Sequence, residues 1–446
     1  MGQFQGLCSR SFFNQTASTL LLGSFLLLFT ARSHAILEIE ITQGIEGALP
    51  IAIVPFAWQG TAGGPPIAIG ATVTADLHRS GQFSPLAVAD FPQRPATAQA
   101  VDFPAWRGLG TENLVIGSIK PQAQGRYEVQ FQLFDAIRGQ KLLAYSIPAP
   151  KSDLRKVAHK ISDLIYEKLT GLRGAFSSRV AYVSELSPSA SNKRYSLQVA
   201  DSDGYNAQTV FTSAHPLMSP AWSPNAKRIA YVSFENGQPQ VFVQHLRGGS
   251  RHKVSARPGI NSAPAWSPNG RKLALTLSVD GNPEIYLLDI ATRRVTRLTR
   301  SSGIDTEPVW LPDGRSLIFT SDRSGRPQLY RIPISGGRAK RLTFQGNYNA
   351  AADVSPDGRQ VVMTHHDGVG YRIAVLDLIS GGLRVLTDGK LDESPSFAPN
   401  GSMIIYATDY RDRAVLAAVS EDGRVRQRLT LQEGDVREPV WSPFRD

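Results

Sequence analysis

The chain has 446 residues, 48 Lys and Arg against 38 Asp and Glu for a net charge of +10, and a single cysteine, Cys8. That length holds two or more domains, each large enough for its own core. One thiol excludes internal disulfides and thiolate metal centres. The basic residues are scattered with no Lys/Arg block, so the charge reads as a solvated mixed surface rather than a nucleic-acid footprint.

Leu20 to Phe29 is an apolar run, LLLGSFLLLF, preceded by Arg10 and followed by TARSHA, with small residues Ser33 and Ala35 at the spacing a signal peptidase accepts. The pattern predicts a cleaved secretory signal over 1–35. About ten apolar residues are too few to span a bilayer comfortably, which argues against an uncleaved anchor. Cys8 stands before the apolar run, whereas a lipoprotein cysteine would follow it. Removal of the signal leaves 411 residues with no cysteine and a charge of +8, which suits an oxidising compartment. No later stretch is long and apolar enough to cross a membrane, so an exported, soluble product is expected.

Residues 36–171 do not repeat and predict a small α/β domain. The segment ILEIEITQG alternates apolar and acidic residues; Ile36, Leu37, Glu38, Ile39, Glu40, Ile41 and Thr42 form either an edge strand or a mobile arm able to join another protein's sheet. PIAIVPF and NLVIGSI are strand-like, and RYEVQFQLFDAIRGQKLLAYSI reads as a hairpin. Between Ser152 and Leu169, Leu154, Val157, Ala158, Ile161, Leu164, Ile165 and Leu169 share one helical face, with Ser152 placed to cap the helix and Gly171 to end it. The sequence GLRGAFSS links this domain to the next.

Residues 177–446 repeat. PAWSPNA, PAWSPNG, PVWLPDG, ADVSPDG, PSFAPNG and PVWSPF recur at Trp222, Trp266, Trp310, Val354, Phe397 and Trp441, at intervals of 44, 44, 44, 43 and 44. A period in the forties with several short strands per unit is the mark of a β-propeller. In each unit an inner strand runs into a turn in which proline presets φ, Asn or Asp suits the next position, and Gly takes the left-handed conformation. Ala226 stands where the other turns have Gly, so that turn is expected to be strained or of another type. Three strands before Pro220 lack an inner strand and the terminal PVWSPF lacks outer ones; joining them gives a sixth blade closed by both ends of the domain, with no open edge.

Catalytic signatures are absent: the chain has no Gly-x-Ser-x-Gly elbow, no phosphate loop and no His-Glu-x-x-His. His365 and His366 are adjacent on a predicted strand and face opposite sides, so they read as packing or surface residues. The Asp-Gly pairs read as hairpin turns. The six loops leading into the inner strands (214–219, 256–263, 300–307, 344–351, 387–394 and 431–438) sum to −4 in a basic protein. One-signed charge at a concave mouth focuses the field there. The mouth is therefore expected to take a cationic or donor-rich partner segment, with a divalent cation such as Ca²⁺ as a candidate near Asp305, Glu307, Asp392, Glu393 and Glu438. The opposing reading is that these acids cap turns and pair with Arg300 and Arg437.

The order of signal, acidic-apolar arm, α/β domain and six repeats resembles the TolB family, the periplasmic component of the Tol–Pal system of Gram-negative bacteria. ILEIEITQGIEGALPIAIVPFAW, NSAPAWSPNGRKLALTLS and DTEPVWLPDGRSLIFTSDRSGRPQLYRI carry the resemblance. It implies a non-enzymatic protein whose propeller mouth binds the peptidoglycan-associated lipoprotein Pal, a contact that colicins mimic, and other outer-membrane proteins are further candidates. It also implies that Ile36 to Thr42 communicate with the inner-membrane protein TolA. Carried onto this chain, the Pal contacts include Asn261, Ala263, Thr306 and Glu307, and the mouth adds Met218, Ile260, Glu393 and Glu438. Some members have a histidine in the second loop, where this chain has Ile260. The alternatives are a propeller hydrolase, for which no further domain is present, and a glycan-binding propeller.

Overall fold

A computed structural model describes residues 37–43, 47–61, 63–187, 192–431 and 434–445; the expected signal over 1–35 and Ile36 lie outside them. Among the described residues no helix is long and apolar enough to cross a membrane.

Six antiparallel blades make the propeller. Their inner strands are Leu217–Trp222, Asn261–Trp266, Asp305–Trp310, Tyr348–Val354, Asp392–Phe397 and Asp435–Trp441, numbered here as blades 1 to 6. In blades 1 to 5 the chain meanders outward from the inner strand. In blade 6 the C-terminal strand pairs antiparallel with Arg179–Leu186, followed by Arg194–Asp201 and Gln208–Ser213, so both ends of the domain close the ring as expected.

The repeated phrase explains each blade's first turn. In blade 2 the Ser267 hydroxyl donates to Asn269 at 2.8 Å and accepts from the Lys272 amide at 2.9 Å, and the Gly270 amide closes the turn on the Ser267 carbonyl at 2.8 Å. Gly270 needs a φ of +68° to do so. Ala226 takes the same left-handed conformation at +52°, so its turn keeps the type and a Cβ bears the strain. The inner-strand aromatics bolt neighbouring blades together. The indole of Trp266 donates to the Ala221 carbonyl of blade 1 at 3.2 Å, and that of Trp310 to Ala265 of blade 2 at 3.1 Å. Blade 4 has Val354 at this place and blade 5 has Phe397, neither with an indole. There Asp353 takes over, accepting from the amides of Val354 at 2.9 Å and Phe397 at 2.8 Å.

The N-terminal domain is a mixed sheet in the order Phe83–Pro85, Leu49–Ile53, Asn113–Pro121, Arg126–Asp135, Gln140–Pro150. Helices α1 (Ile69–Arg79) and α3 (Leu154–Thr170) pack on one face through Val73, Leu77, Leu154, Ile161 and Ile165; α2 (Phe103–Gly108) covers the other through the fully buried Trp106. Gly171 ends α3 in the left-handed conformation as expected. Ser152 does not cap it: a 3₁₀ turn over Lys151–Asp153 precedes the helix, and no side chain accepts from its first turn.

A buried charge network ties the two domains. Asp76 on α1 accepts from His159 Nδ1 and from the Ser162 hydroxyl of α3, each at 2.7 Å, and pairs with Arg79 at 2.9 Å. Arg155 on α3 pairs with Asp203 on the propeller, and Arg79 donates to Ser202 at 3.1 Å. The expected arm is a strand: Leu37–Gln43 lies antiparallel to Arg426–Leu431 as a fifth strand on the outer edge of blade 5, with Leu37 opposite Leu431 and Glu40 opposite Arg428. It is an edge strand of its own propeller in this structure.

Removing the bolt between blades 1 and 2 tests this account. Trp266→Ala is expected to cost about 3–5 kcal/mol through the cavity and the lost indole bond, read as a lower urea midpoint. Trp266→Phe, which imitates blade 5, should retain more than half of that stability.

Candidate functional site: the mouth of the propeller channel

Every inner strand carries a β-bulge, and each bulge places one non-glycine residue in the left-handed region: Ser219, Ala263, Glu307, Ala351, Ser394 and Glu438, with φ between +46° and +53°. In each ladder the register slips around that residue, as between Ser262 and Ala265 or between Arg437 and Val440. A left-handed non-glycine residue costs roughly 1 kcal/mol, and six of them ring the channel. Strain of this kind persists where surrounding structure enforces it and gathers at functional sites. Nothing in Ser, Ala or Glu announces a left-handed backbone. The available signal was position: in five of six blades the residue stands directly before the repeated proline.

The ring surrounds a channel of about 620 Å³, walled by the bulge residues, the prolines after them and the inner-strand aromatics. Two bulge residues are acidic and reach across to the next blade. Glu438 accepts from the Ser219 amide, and Glu307 accepts from the Ala351 amide and the Thr320 hydroxyl, both at 2.8 Å. Glu393 pairs with Arg437 at 3.2 Å. Burial, aided by Glu393 and Glu307 nearby, pushes the Glu438 carboxyl up to about 7. Burial and the same two acids push the Tyr348 phenol up to about 12.

The structure sorts the expected contact residues. Met218 and Ile260 are exposed apolar side chains at the rim, as are Ile304 and Phe344, which sequence reasoning missed. Ala263, Glu307 and Glu438 wall the channel, and Thr306 sits half-buried beside Glu307 with its hydroxyl 3.3 Å from that of Thr276. Asn261 is fully buried, and its side chain is consumed by its own loop, accepting from Ser255 at 2.6 Å and donating to the Arg257 carbonyl at 2.7 Å. It shapes the loop that presents Ile260 and offers no side-chain contact.

Asp305 and Asp392 leave the expected cation set for the same reason. Asp305 is buried against Ser321 at 2.7 Å and Arg323 at 2.5 Å, and Asp392 against Thr408 at 2.6 Å. Burial raises both carboxyls above the usual range. These polar groups at the first inner-strand position pin the loops, as Asn349 does in blade 4 through the Gln345 carbonyl at 2.8 Å. His365 is buried with its Nδ1 2.8 Å from Asn349, while the His366 ring lies tilted against Tyr371 at 4.7 Å between ring centroids. Tyr371 meets Tyr348 edge-on at 5.4 Å, which gives the mouth an aromatic wall that the sequence did not advertise.

Among the described residues the channel acids do not converge to metal-ligand spacing; the one group that does is Asp76, His159 and Asp203. Arg79 and Arg155 already neutralise those two carboxylates, so that group is the ion-pair seam between the domains rather than a cation site.

Fold and mouth together define a two-domain propeller protein: a closed six-bladed ring with an acidic, apolar-rimmed channel, joined to an α/β domain whose N-terminal strand lies on the propeller edge. The pattern of the TolB amino-terminal domain matches residues 37–142, and that of the TolB beta propeller domain matches residues 166–445. The chain is 65% identical over 430 residues to the Tol-Pal system protein TolB of Thioalkalivibrio sulfidiphilus, covering 96% of this chain and 99% of that one. It is 63% identical over 409 residues to its counterpart in Nitrosococcus oceani, covering 92% and 94%. The crystal structure of TolB from Acinetobacter baumannii superposes with a TM-score of 0.85 at 42% identity, covering 92% of this chain and 100% of that one. The chain belongs to the TolB family and is a component of the Tol–Pal system.

Glu438 makes the pH dependence of the mouth testable. Its folded pKa lies above the ordinary carboxyl value, so the folded state holds a proton that the unfolded state has released between about pH 4.5 and 7. This group therefore erodes stability as pH rises through that window. Glu438→Gln should gain stability relative to the parent from pH 5 to pH 8, by no more than about 3 kcal/mol. Denaturation midpoints across that range check it; a gain in the opposite direction would contradict the assignment.

Proposed function

We propose that this protein is a periplasmic, non-enzymatic scaffold that binds Pal at the propeller mouth and meets TolA through the arm Ile36 to Thr42, serving outer-membrane integrity and cell division. The observation that carries this reading is the strained ring around an acidic channel with an exposed apolar rim of Met218, Ile260, Ile304 and Phe344. Such a surface suits a protein partner, with apolar anchors for affinity and charge for register and rate. Colicins and other outer-membrane proteins are further candidates for the same mouth. The arm is suited to strand exchange: the antiparallel ladder it makes with Arg426–Leu431 is the kind of pairing another sheet edge can offer.

Calcium is proposed as a weak visitor to the channel. Glu307, Glu393 and Glu438 each keep one carboxylate oxygen without a protein donor among the described residues, but they do not form a closed shell. A cation there would complete its coordination with water.

Calorimetric titration of the chain from Ile36 onward with the periplasmic domain of its host's Pal tests the scaffold. Saturable one-to-one binding is expected, weakened at least tenfold, about 1.4 kcal/mol, by Met218→Glu or Thr306→Asp. Deleting Leu37 to Thr42 should abolish TolA binding and spare Pal. Absence of Pal binding with and without calcium overturns the reading, and identical isotherms in the two buffers overturn the cation alone.

A further inference from the structure

The positive charge of this protein is concentrated. Residues 247–341, from the end of blade 1 through blade 3, hold seventeen Lys and Arg against seven Asp and Glu, a net +10 that equals the charge of the whole chain. The remaining residues sum to zero. Among the described residues, three of the seventeen are paired with carboxylates: Arg251 with Glu235, Arg297 with Asp280 and Glu284, and Arg323 with Asp305.

Topology places most of the rest on one side. In a four-stranded antiparallel blade, the turns after the first and third strands emerge on one face, and the loops leading into the inner strand emerge on the other, at the mouth. The turns after the first and third strands of blades 1 to 3 carry the exposed Arg247, Arg271, Arg293, Arg294, Arg315 and Arg338. Two acids share those turns, and both are engaged locally: Asp289 accepts from the Thr292 amide at 2.9 Å and Asp313 from the Arg315 amide at 2.8 Å. The equivalent turns of blades 4 and 5 hold Asp357, Asp377, Glu421 and Asp422 against Arg359 and Arg424. The N-terminal domain and its linker dock on this same face over blades 5 and 6, where the Asn400 amide donates to the Arg173 carbonyl at 2.9 Å and Arg79 donates to Ser202. The turns of blades 1 to 3 are left as an open basic crescent beside it.

We propose that this crescent docks the protein on an anionic phospholipid surface while the opposite mouth stays free for its partner. The six arginines spread over the turns of three neighbouring blades and line none of the cavities that take in the mouth or the domain seam. Their arrangement fits a two-dimensional field of headgroup phosphates better than a single bound anion. Attraction of this kind grows with each basic residue near the surface and fades within a Debye length. The proposal rests on the envelope location proposed above, and its geometry separates it from the mouth: one face meets lipid and the other meets protein.

Co-sedimentation of the chain from Ile36 onward with phosphatidylethanolamine vesicles, with and without phosphatidylglycerol, tests it. Binding is expected only when phosphatidylglycerol is present, and it should fall steeply with added salt. The triple variant Arg271→Glu, Arg293→Glu, Arg294→Glu should lower the partition constant by more than roughly hundredfold, since losing each basic residue alone is worth about fivefold. Arg359→Glu in blade 4 should leave it within about twofold. The milder Arg271→Gln, Arg293→Gln, Arg294→Gln variant should lie between parent and reversal, with unchanged circular dichroism for both triples. Equal retention of parent and triple variant, equal retention on neutral vesicles, or retention on purified sacculi and nucleic acid but not on vesicles overturns the proposal. Pal titration of the triple variant separates the readings: intact Pal binding with lost lipid binding supports the two-faced arrangement, whereas a parent that binds vesicles but not Pal refutes only the mouth.

Discussion

Closure of the ring is the constraint on which the rest depends. The strand Asp435–Trp441 must return across about 250 residues of chain to pair with Arg179–Leu186. The seam is reinforced at its end: Ser442 N–H donates to the Arg179 carbonyl at 2.8 Å, Arg179 N–H to the Ser442 hydroxyl at 2.9 Å, and the Trp441 indole to Ser178 at 2.7 Å. Without it, two sheet edges would lie open to water and to other chains. The closing strand also contributes Glu438, whose carboxylate holds the Ser219 amide of blade 1. The bond that completes the circle therefore places an acid of the channel whose carboxyl burial pushes up to about 7, and a change in closure is a change in the mouth.

The mouth and the opposite face are electrostatic contrasts built from the same repeat. Inner-strand bulges turn Glu307 and Glu438 toward the axis, while outer turns project arginines away from it. Separation matters because the two signs would otherwise pair: Arg297 and Arg323, in the two blades that flank the loop 300–307, are indeed consumed by Glu284 and Asp305. Both are local anchors. The free charge is what remains on either face after those pairs are subtracted, and it is acidic at the channel and basic on the turns of blades 1 to 3.

The propeller was legible because periodicity is a global signal: a turn phrase returning every 43 or 44 residues fixes blade count and closure without any knowledge of contacts. The hairpin and α3 were legible from alternation and from one apolar face. Helix α1 was not, since IGATVTADLHR is rich in Thr, Val and Gly, weak helix formers that are held here by packing on α3 and the sheet. At the mouth the sequence located the correct loops but could not tell lumen from scaffold. Asn261, Asp305 and Asp392 are of the same residue types as partner-facing polar groups, and only the fold reveals that they are buried and held by their own blade rather than turned to the lumen. Glu307 and Glu438 sit at the bulge itself, wall the channel, and each keep one carboxylate oxygen without a protein donor among the described residues. A bulge shifts a side chain from one role to the other, and it leaves no mark in composition.

Blade 5 brings these threads together. Its inner strand Asp392–Phe397 carries Glu393 at the mouth, and its outer strand Arg426–Leu431 carries Leu37–Gln43 as the rim of the same sheet. The arm's backbone groups that pair with residues 426–431 cannot pair with another sheet at the same time, so any partner that takes the arm must replace that ladder. Its own affinity for a free arm is reduced by the cost of undocking it. Four consecutive strands connect Glu393 to the arm, hydrogen-bonded throughout. Occupants of the two edges of one sheet are linked to whatever extent either one moves the strands between them, and that linkage is reciprocal. The arm adds a fifth strand to blade 5 alone, and that addition covers an edge which the other blades leave to outer strands of two to six residues.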